Sequence, residues 1–285
     1  MYLRNKKDTT MTANPCAKIN IGLNIVSRRP DGYHNLETVF YPIPLYDRLS
    51  IEATEESATC RLITTGQAVE CAPDDNLVVK AYHLLRQHYD LPSVTIQLHK
   101  GIPSQAGLGG GSSDVGFAIR LLNEQFHLGM DSDEMRRHAS RLGADCAFFI
   151  DPQPAYGTGI GDVLTPCEGK IQDLSGLFLA IVKPPVAVST KEAYSQVHPS
   201  EPTENCLKIL GDPIESWRGR LRNDFEESVF ALYPIIRDVR DLLYRQGALY
   251  AQMSGSGSAV FGLFTEAPTQ LAQYCEGMFC QVVRL

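Results

Sequence analysis

The sequence predicts a chain that mixes strands and helices and folds as one large domain or two smaller ones. Its 285 residues, 44% of them hydrophobic, are enough for a sizeable core. Residues 93–126 indicate a strand, a glycine-rich loop and a helix in succession. Residues 248–285 indicate strand, glycine turn, strand, helix and strand, an order that fits a ferredoxin-like α/β sandwich. The composition changes after about residue 160, which favours two parts.

The glycine-rich loop covers residues 101–114 and reads GIPSQAGLGGGSSD. The preceding residues 93–99 alternate apolar and polar side chains, as a half-buried strand does. Ser112 and Ser113 are typical N-cap residues, and Asp114 suits a first helical turn. The helix is indicated by apolar residues at helical spacing, namely Val115, Ala118, Ile119 and Leu122.

This arrangement predicts a cradle for a nucleotide phosphate. Glycines let the backbone approach a phosphate closely, and a helix N-terminus offers unpaired N–H groups and a positive dipole end. The alternatives are a flexible connector, or glycines that serve only tight packing. The loop is not the usual P-loop, because no lysine follows its last glycine. Nor is it the dinucleotide fingerprint, because Ser112 stands where the third glycine would be.

The N-terminal part predicts a tail, a strand and an exposed turn. Residues 1–14 are polar without periodicity, and we expect a flexible tail there. Residues 15–25 alternate as a strand that places Lys18 and Asn20 on one face, which is either solvated or part of a site. Residues 28–35 read RRPDGYHN, a turn followed by two rings that either cover the edge of the core or stack on a base.

Further strands are expected over 38–41 and 47–53, and a helix over 74–89. Asp131 and Glu134 form a capping pair for a helix over 133–142. Asp145 then precedes an apolar run, 146–150, which we expect to be a buried strand. A carboxylate at the mouth of such a strand is either a satisfied turn residue or a functional group.

The second half continues this alternation. We expect a glycine-rich hairpin over 155–162, and a mobile surface segment over 199–215. Ser189 or Thr190 caps a helix that begins near Lys191. The remaining predicted elements are a strand at 177–183, helices at 223–233, 235–246 and 268–276, and strands at 248–253, 259–264 and 279–285, with an SGSGS turn at 254–258.

Composition restricts the partners. A net charge of −7 gives no electrostatic reason to expect nucleic acid, and no apolar run is long enough to span a membrane. The first residues carry no apolar signal-peptide core, so we expect a cytoplasmic protein. The eight cysteines include no C-x-x-C pair, which favours reduced structural thiols over a metal site.

Three segments resemble the signatures of the GHMP kinases. Residues 103–114 resemble the phosphate-binding signature P-x-x-x-G-L-G-S/G-S-S/A, and residues 15–23, PCAKINIGL, resemble P-A-K-x-N-x-x-L. Residues 143–149, GADCAFF, resemble G-A-D-V-P-F-F, with Cys146 and Ala147 in place of valine and proline. The SGSGS turn at 254–258 is either a hairpin turn or, as the resemblance implies, a further signature loop that approaches the active site near the phosphates. The motifs stand in the order of that family and span residues 15–264.

The resemblance implies a two-domain α+β kinase fold. Its N-terminal domain, residues 15–158, would be like domain 2 of ribosomal protein S5, and its C-terminal domain, residues 159–285, would be the ferredoxin-like α/β sandwich. It also implies a kinase that uses ATP with Mg²⁺, the metal being held mainly by phosphates and water. We expect a small-molecule substrate, no nucleic-acid or membrane partner, and a monomer or weak homodimer.

The D-G-Y-H segment at 31–34 is similar to that of the GHMP kinases that act on a cytidine-diphosphate-linked methylerythritol in the non-mevalonate isoprenoid pathway. The acceptor would then be the 2-hydroxyl of that compound. The rival interpretations are another GHMP kinase, for mevalonate or a sugar, and a nucleotide-binding module without catalysis. A serine hydrolase is a third rival, but the chain lacks G-x-S-x-G.

The resemblance also assigns residues. Asp145 would accept the hydroxyl proton, and Lys18 would hold that carboxylate ionised, orient the hydroxyl and offset charge on the γ-phosphoryl group. ATP would be bound by Pro103, Ser104, Gln105, Ala106, Gly107, Leu108, Gly109, Gly110, Gly111, Ser112 and Ser113. The substrate would be bound by Asn20, Tyr33, His34, Thr190 and Tyr194, with Tyr194 opposite Tyr33 across the cytosine.

Overall fold

A computed structural model of the chain describes residues 10–55, 59–68 and 71–285. Contacts divide the chain into two compact units that interleave along the sequence. The first unit contains the N-terminal residues through Cys16, Tyr46–Ser104 and Gly110–Asp151. The second unit contains Ala17–Leu45, Gln105–Gly109 and Pro152–Leu285. A domain boundary near residue 158 stays a prediction.

The first unit is a four-stranded sheet covered by three helices. Its strands are β1 (Met11–Ala13), β4 (Arg48–Ala53), β5 (Cys60–Gly66) and β6 (Val94–Lys100), in the order β1-β4-β6-β5. The helices are α1 (Leu77–Arg86), α2 (Gly110–Phe126) and α3 (Ser132–Ser140). Apolar side chains of sheet and helices form one core, in which Leu49, Ile96 and Ile119 are fully buried.

The second unit contains two further four-stranded sheets. One has the order β2-β3-β7-β8, from β2 (Cys16–Arg28), β3 (His34–Tyr46), β7 (Ala155–Thr158) and β8 (Val163–Pro166). The other has the order β10-β11-β9-β12, from β9 (Phe178–Lys183), β10 (Tyr250–Met253), β11 (Val260–Phe264) and β12 (Phe279–Arg284), all antiparallel. The helices are α4 (Thr190–Tyr194), α5 (Cys206–Leu210), α6 (Phe225–Leu232) and α7 (Pro234–Arg245).

Local sequence explains where several helices begin. Asp131 accepts a hydrogen bond from the Glu134 amide at 2.7 Å, which confirms the predicted cap of α3. Ser189 and Glu192 form a reciprocal capping box at α4, so Ser189 is the cap and Thr190 the first helical residue. Pro234 occupies the first turn of α7, where a missing N–H costs nothing.

Several predictions about local structure are wrong. The predicted tail includes β1, in which Met11 pairs with Ile51, whereas residues 1–9 lie outside the described part of the chain. Residues Ala144–Ile150 form a buried 3₁₀ helix rather than a strand, because they turn immediately after Gly143. The helix expected over 268–276 is reduced to the 3₁₀ turn Leu271–Tyr274. Strand β5 was not predicted, since its exposed residues show no clear alternation.

The segment over residues 199–215, expected to be a mobile surface segment, does not lie wholly at the surface. It contains α5, capped by the Asn205 side chain, with Cys206 and Leu210 buried. The carboxylate of Glu37 in β3 accepts two hydrogen bonds of 3.1 Å, one from the backbone N–H of Cys206 and one from the side-chain Nδ2 of Asn205. These hydrogen bonds join residues that are far apart in sequence, so the polar composition of the segment gave no indication of them.

All eight cysteines are free thiols in the described part of the chain. Among the described residues, no helix combines the length and the apolar character needed to cross a bilayer.

Candidate active site

Lys18 and Asn20 lie side by side on β2, as their alternation predicts. Both are 3% exposed, so the face that they share is buried rather than solvated. The Lys18 ammonium donates to Asn20 Oδ1 at 2.5 Å and to the Gly107 carbonyl at 3.0 Å. It also lies 5.3 Å from the centre of the Phe40 ring, within the range of a cation–π contact. The second unit thus joins the predicted catalytic lysine to the glycine-rich loop.

The same part of the loop is held by the backbone of β2 and by the 254–258 turn. The Lys18 amide donates to the Leu108 carbonyl at 2.9 Å. Ser254 Oγ donates to the Gly107 carbonyl at 2.9 Å and accepts from the Asn20 amide at 3.2 Å. Gly107 has φ of 71°, and a Cβ there would lie 1.9 Å from the Ser254 carbonyl oxygen. Only glycine fits this close approach of two backbones.

Asn20 is also fixed from the neighbouring strand. Its Nδ2 donates to Thr38 Oγ1 at 3.0 Å, and that hydroxyl donates to the Gly22 carbonyl at 2.5 Å. Because Asn20 Oδ1 accepts from Lys18, both ends of its side-chain amide are used. The amide orientation is therefore determined by its surroundings.

In the first unit, the loop runs directly into α2. The helix begins at Gly110, so Ser112 and Ser113 lie within its first turn, and the prediction that they cap it is wrong. Gly109, with φ of 71°, turns the chain into the helix, which therefore starts earlier than the serines indicate. The first N–H groups of α2 have no partner within the helix and can meet an anion.

Asp145 lies in the first turn of the 3₁₀ helix Ala144–Ile150 and is half-buried. The next residue, Cys146, is hydrogen-bonded to Ser112 of α2, and burial raises the pKa of the Cys146 thiol to about 11. A Cβ on Gly116 of α2 would lie 2.7 Å from Phe149 Cβ, so helix and 3₁₀ turn are in close contact. The first unit thus brings the carboxylate predicted as base close to the predicted phosphate-binding helix turn.

Within the first unit, a buried ionic cluster joins the two ends of the glycine-rich loop. Lys100, at the end of β6, donates to Asp114 Oδ2 at 2.6 Å and to Asp47 Oδ2. The exposed fraction of the side chain is 5% for Lys100, 4% for Asp114 and 0% for Asp47. Burial raises the pKa of the Asp114 carboxyl to about 8, against the lowering effect of the Lys100 charge.

The residues predicted to bind the cytosine lie on the second unit. His34 and Tyr194 stack with ring centres 4.8 Å apart and planes 18° apart, and Tyr194 packs edge-on against Phe225. Burial lowers the pKa of His34, with a further contribution from the Arg28 charge, so the ring is neutral near pH 7. Tyr33 is 61% exposed, and Thr190 is exposed at the start of α4. Tyr194 thus stacks on His34, and its place opposite Tyr33 across a cytosine stays a prediction.

Sequence reasoning missed several residues of this site. Thr38 and Ser254 hold Asn20 and Gly107, while Asp47 and Lys100 anchor the loop. A lysine ending a strand just before the glycines was a visible signal. Ser254 lies in the SGSGS turn that the resemblance placed near the phosphates, but its individual role was not predicted. Asp47 is far away in sequence from the loop, and nothing local indicates it.

No protein ligand set for a metal is found in the described residues, which contain no group of three or more histidine, cysteine, aspartate or glutamate side chains suited to an ion. Magnesium usually keeps several waters and binds substrate phosphates with few protein ligands. The donor set is therefore compatible with a metal that enters with the nucleotide.

Comparisons with known proteins agree with this geometry. The family model of the GHMP kinases N terminal domain matches residues 76–152, and that of the GHMP kinases C terminal matches residues 203–277. A 4-diphosphocytidyl-2-C-methyl-D-erythritol kinase of Bacteroides fragilis is 48% identical over 271 residues, covering 95% of this chain and 98% of the relative. The kinase of the same name from Bacteroides thetaiotaomicron is 46% identical over 277 residues, covering 96% of this chain and 100% of the relative.

A solved structure supports the same assignment. The crystal structure of a 4-(cytidine 5'-diphospho)-2C-methyl-D-erythritol kinase superposes with a TM-score of 0.76 at 30% identity, covering 96% of this chain and 100% of the other. The chain belongs to the GHMP kinases, and within them to the 4-diphosphocytidyl-2-C-methyl-D-erythritol kinase family. The predicted α+β kinase fold and the prediction of a phosphotransferase with an alcohol acceptor are confirmed. ATP is the phosphoryl donor of this family.

Proposed function

We propose that this chain transfers the γ-phosphoryl group of ATP to the 2-hydroxyl of 4-diphosphocytidyl-2-C-methyl-D-erythritol. The observation that carries the proposal is the buried Lys18 ammonium, which donates both to Asn20 and to the Gly107 carbonyl of the glycine-rich loop. A cation fixed at this loop is suited to a reaction that builds negative charge on a phosphoryl group. The membership of the kinase family supports the choice of acceptor.

In the proposed step, one phosphorus–oxygen bond forms as another breaks. The acceptor oxygen forms a bond to the γ-phosphorus, the bond from that phosphorus to the β–γ bridging oxygen breaks, and ADP leaves. Asp145 accepts the proton of the hydroxyl. Lys18 offsets charge on the transferred group, and Asn20 orients the acceptor. Positioning and charge stabilisation supply most of the acceleration in such transfers.

The glycine-rich loop and the first turn of α2 would bind the phosphates through backbone N–H groups. Mg²⁺ would be held chiefly by phosphate oxygens and water, and when bound it would neutralise charge on the β- and γ-phosphates. The residues proposed for ATP are those of segment 103–113.

Tyr33, His34 and Tyr194 would hold the cytosine. An exposed ring at Tyr33 can stack on a base, and the neutral His34 ring, already stacked on Tyr194, can hydrogen-bond to it. Thr190 is exposed at the start of α4, close in sequence to Tyr194, and we assign it to the same substrate.

The test is ATP consumption by the purified protein with Mg²⁺ and a panel of acceptors. We expect turnover with the cytidine compound and none with mevalonate, phosphomevalonate, homoserine or galactose. Turnover with another acceptor would retain the phosphoryl-transfer chemistry and overturn the cytosine site. Absence of turnover with every acceptor, in a protein that still binds ATP, would favour a nucleotide-binding module.

A further inference from the structure

The buried cluster of Lys100, Asp47 and Asp114 has no part in the reaction as described above. Lys100 Nζ lies between two carboxylates and donates to one oxygen of each. All three side chains are at least 95% buried. Burying a lysine and two carboxyl groups in a core is costly even when they are paired, so a contribution to stability does not by itself explain the cluster.

The cluster joins the two ends of the glycine-rich loop. Lys100 ends β6 immediately before the loop, and Asp114 is the fifth residue of α2 after it. Asp47 Oδ1 accepts from the amides of Gly101 and Ile102 at 2.7 and 2.9 Å. Its other oxygen accepts from Lys100. One ammonium therefore connects the strand, the first loop residues and the first turns of the helix.

The glycines at both ends fit around this cluster. A Cβ on Gly101 would lie 2.4 Å from the Tyr46 carbonyl oxygen, next to Asp47. A Cβ on Gly110 would lie 3.0 Å from Ile102 and 3.4 Å from Lys100 Nζ. The first residue of α2 thus packs directly over the buried ammonium, and the separation between β6 and α2 depends on it.

We propose that Lys100, Asp47 and Asp114 are positioning residues for nucleotide binding, which hold the loop between β6 and α2 in the shape that receives the phosphates. This proposal rests on the assignment of the loop to ATP. The cluster does not touch the nucleotide; it acts through the backbone N–H groups of the loop. A displacement of about 1 Å in such groups can cost on the order of 100-fold in rate or binding.

The decisive measurement is the affinity for the non-hydrolysable analogue AMP-PNP with Mg²⁺, by calorimetry, alongside the KM of each substrate. We expect Asp114→Ala to raise the Kd for AMP-PNP and the KM for ATP by about ten-fold or more, because the loop loses one anchor. The KM for the acceptor should stay within about two-fold. Asp114→Asn keeps an oxygen that can accept from Lys100, and we expect it to restore most of the affinity.

Asp133→Asn is the matched control. Asp133 lies in the first turn of α3 and pairs with Arg136 at 3.2 Å, but its side chain is 80% exposed. An exposed pair of this kind contributes little, so nucleotide affinity should be that of the wild type.

Asp47→Asn gives a second, independent test if Asp114→Ala does not fold. A single amide oxygen cannot serve two backbone amides and Lys100 together, so Gly101 and Ile102 should exchange their amide hydrogens faster and AMP-PNP should bind more weakly. Folded Asp114→Ala or Asp47→Asn protein with wild-type AMP-PNP affinity would overturn the proposal, even if thermal stability fell. If the wild type turns over no acceptor, the proposed function fails, yet AMP-PNP binding still decides this proposal.

Discussion

At the scale of single residues, the site depends on a lysine that is buried yet fully engaged. The Lys18 ammonium contacts the Asn20 side chain, the Gly107 carbonyl and the face of Phe40. These contacts fix the position of the ammonium at the glycine-rich loop. A cation fixed at such a place can stabilise negative charge that develops on a phosphoryl group.

Asp145→Asn tests the proposed base. The amide cannot accept the hydroxyl proton, so kcat should fall by roughly 10²–10⁴-fold while the KM for ATP changes little. Steady-state kinetics measure both constants. Asp151→Asn, an exposed aspartate at the end of the same 3₁₀ turn, should behave as the wild type. An Asp145→Asn enzyme with normal kcat would exclude Asp145 as the base.

Tyr33→Ala tests the proposed cytosine contact. Base stacking contributes about 1–3 kcal/mol, so the KM for the cytidine substrate should rise roughly ten-fold to a hundred-fold, with kcat and the KM for ATP nearly unchanged. Tyr274→Ala removes a comparably exposed ring, 53% against 61%, and should have no effect. An unchanged KM for the cytidine substrate in Tyr33→Ala would show that Tyr33 does not bind the cytosine.

At the scale of elements, the sequence predicted several elements correctly from local signals. The alternation around Lys18, the spacing in α2 and the Asp131–Glu134 cap are local patterns, and the elements β2, α2 and α3 are present. Helix α5 depends instead on Glu37, 168 positions from Asn205 and 169 from Cys206. The apolar run after Asp145 is buried as expected but turns as a 3₁₀ helix, since short apolar runs do not distinguish strand from helix.

The stability of the protein should depend on the hydroxyl of Ser254 in the 254–258 turn. Ser254 is fully buried, and its Oγ bonds to the Asn20 amide and the Gly107 carbonyl. Ser254→Ala leaves both groups with one partner fewer, which should lower the free energy of unfolding by about 1–3 kcal/mol. Denaturant unfolding measures this loss. Ser175→Ala, in an exposed turn, is the control, and an equal loss there would contradict the account.

The Lys100 cluster predicts a pH dependence of stability. The folded-state pKa of Asp114 is raised by burial to about 8 from an ordinary value of 3.8, so the folded state binds an additional proton between these values. The contribution of Asp114 to the free energy of unfolding is therefore fully present below about pH 4 and is lost as the pH rises through 8. Between these values the free energy of unfolding falls by at most about 1.4 kcal/mol per pH unit.

Unfolding of the wild type and of Asp114→Asn across pH 5–9 measures this contribution. The asparagine does not titrate, so the difference in stability between the two proteins should change with pH in favour of the variant as the pH rises. Parallel curves for the two proteins would contradict the raised pKa.

At the scale of the whole molecule, family membership was predictable because the motifs extend across the chain. Signatures between residues 15 and 264 stand in the order of the GHMP kinases, and relatives 46–48% identical match 95–96% of the chain. The two interleaved units were not predictable, since a boundary in sequence cannot reveal that residues 105–109 pack with the second unit while both flanks pack with the first.

The most direct test of the central claim is the phosphorus NMR spectrum of the product formed from ATP and 4-diphosphocytidyl-2-C-methyl-D-erythritol. The account predicts ADP, an intact diphosphate and one new phosphomonoester, whose coupling pattern places it on the tertiary 2-hydroxyl. A phosphate on another hydroxyl would contradict the proposed acceptor. Release of inorganic phosphate without a phosphomonoester would contradict phosphoryl transfer to this substrate.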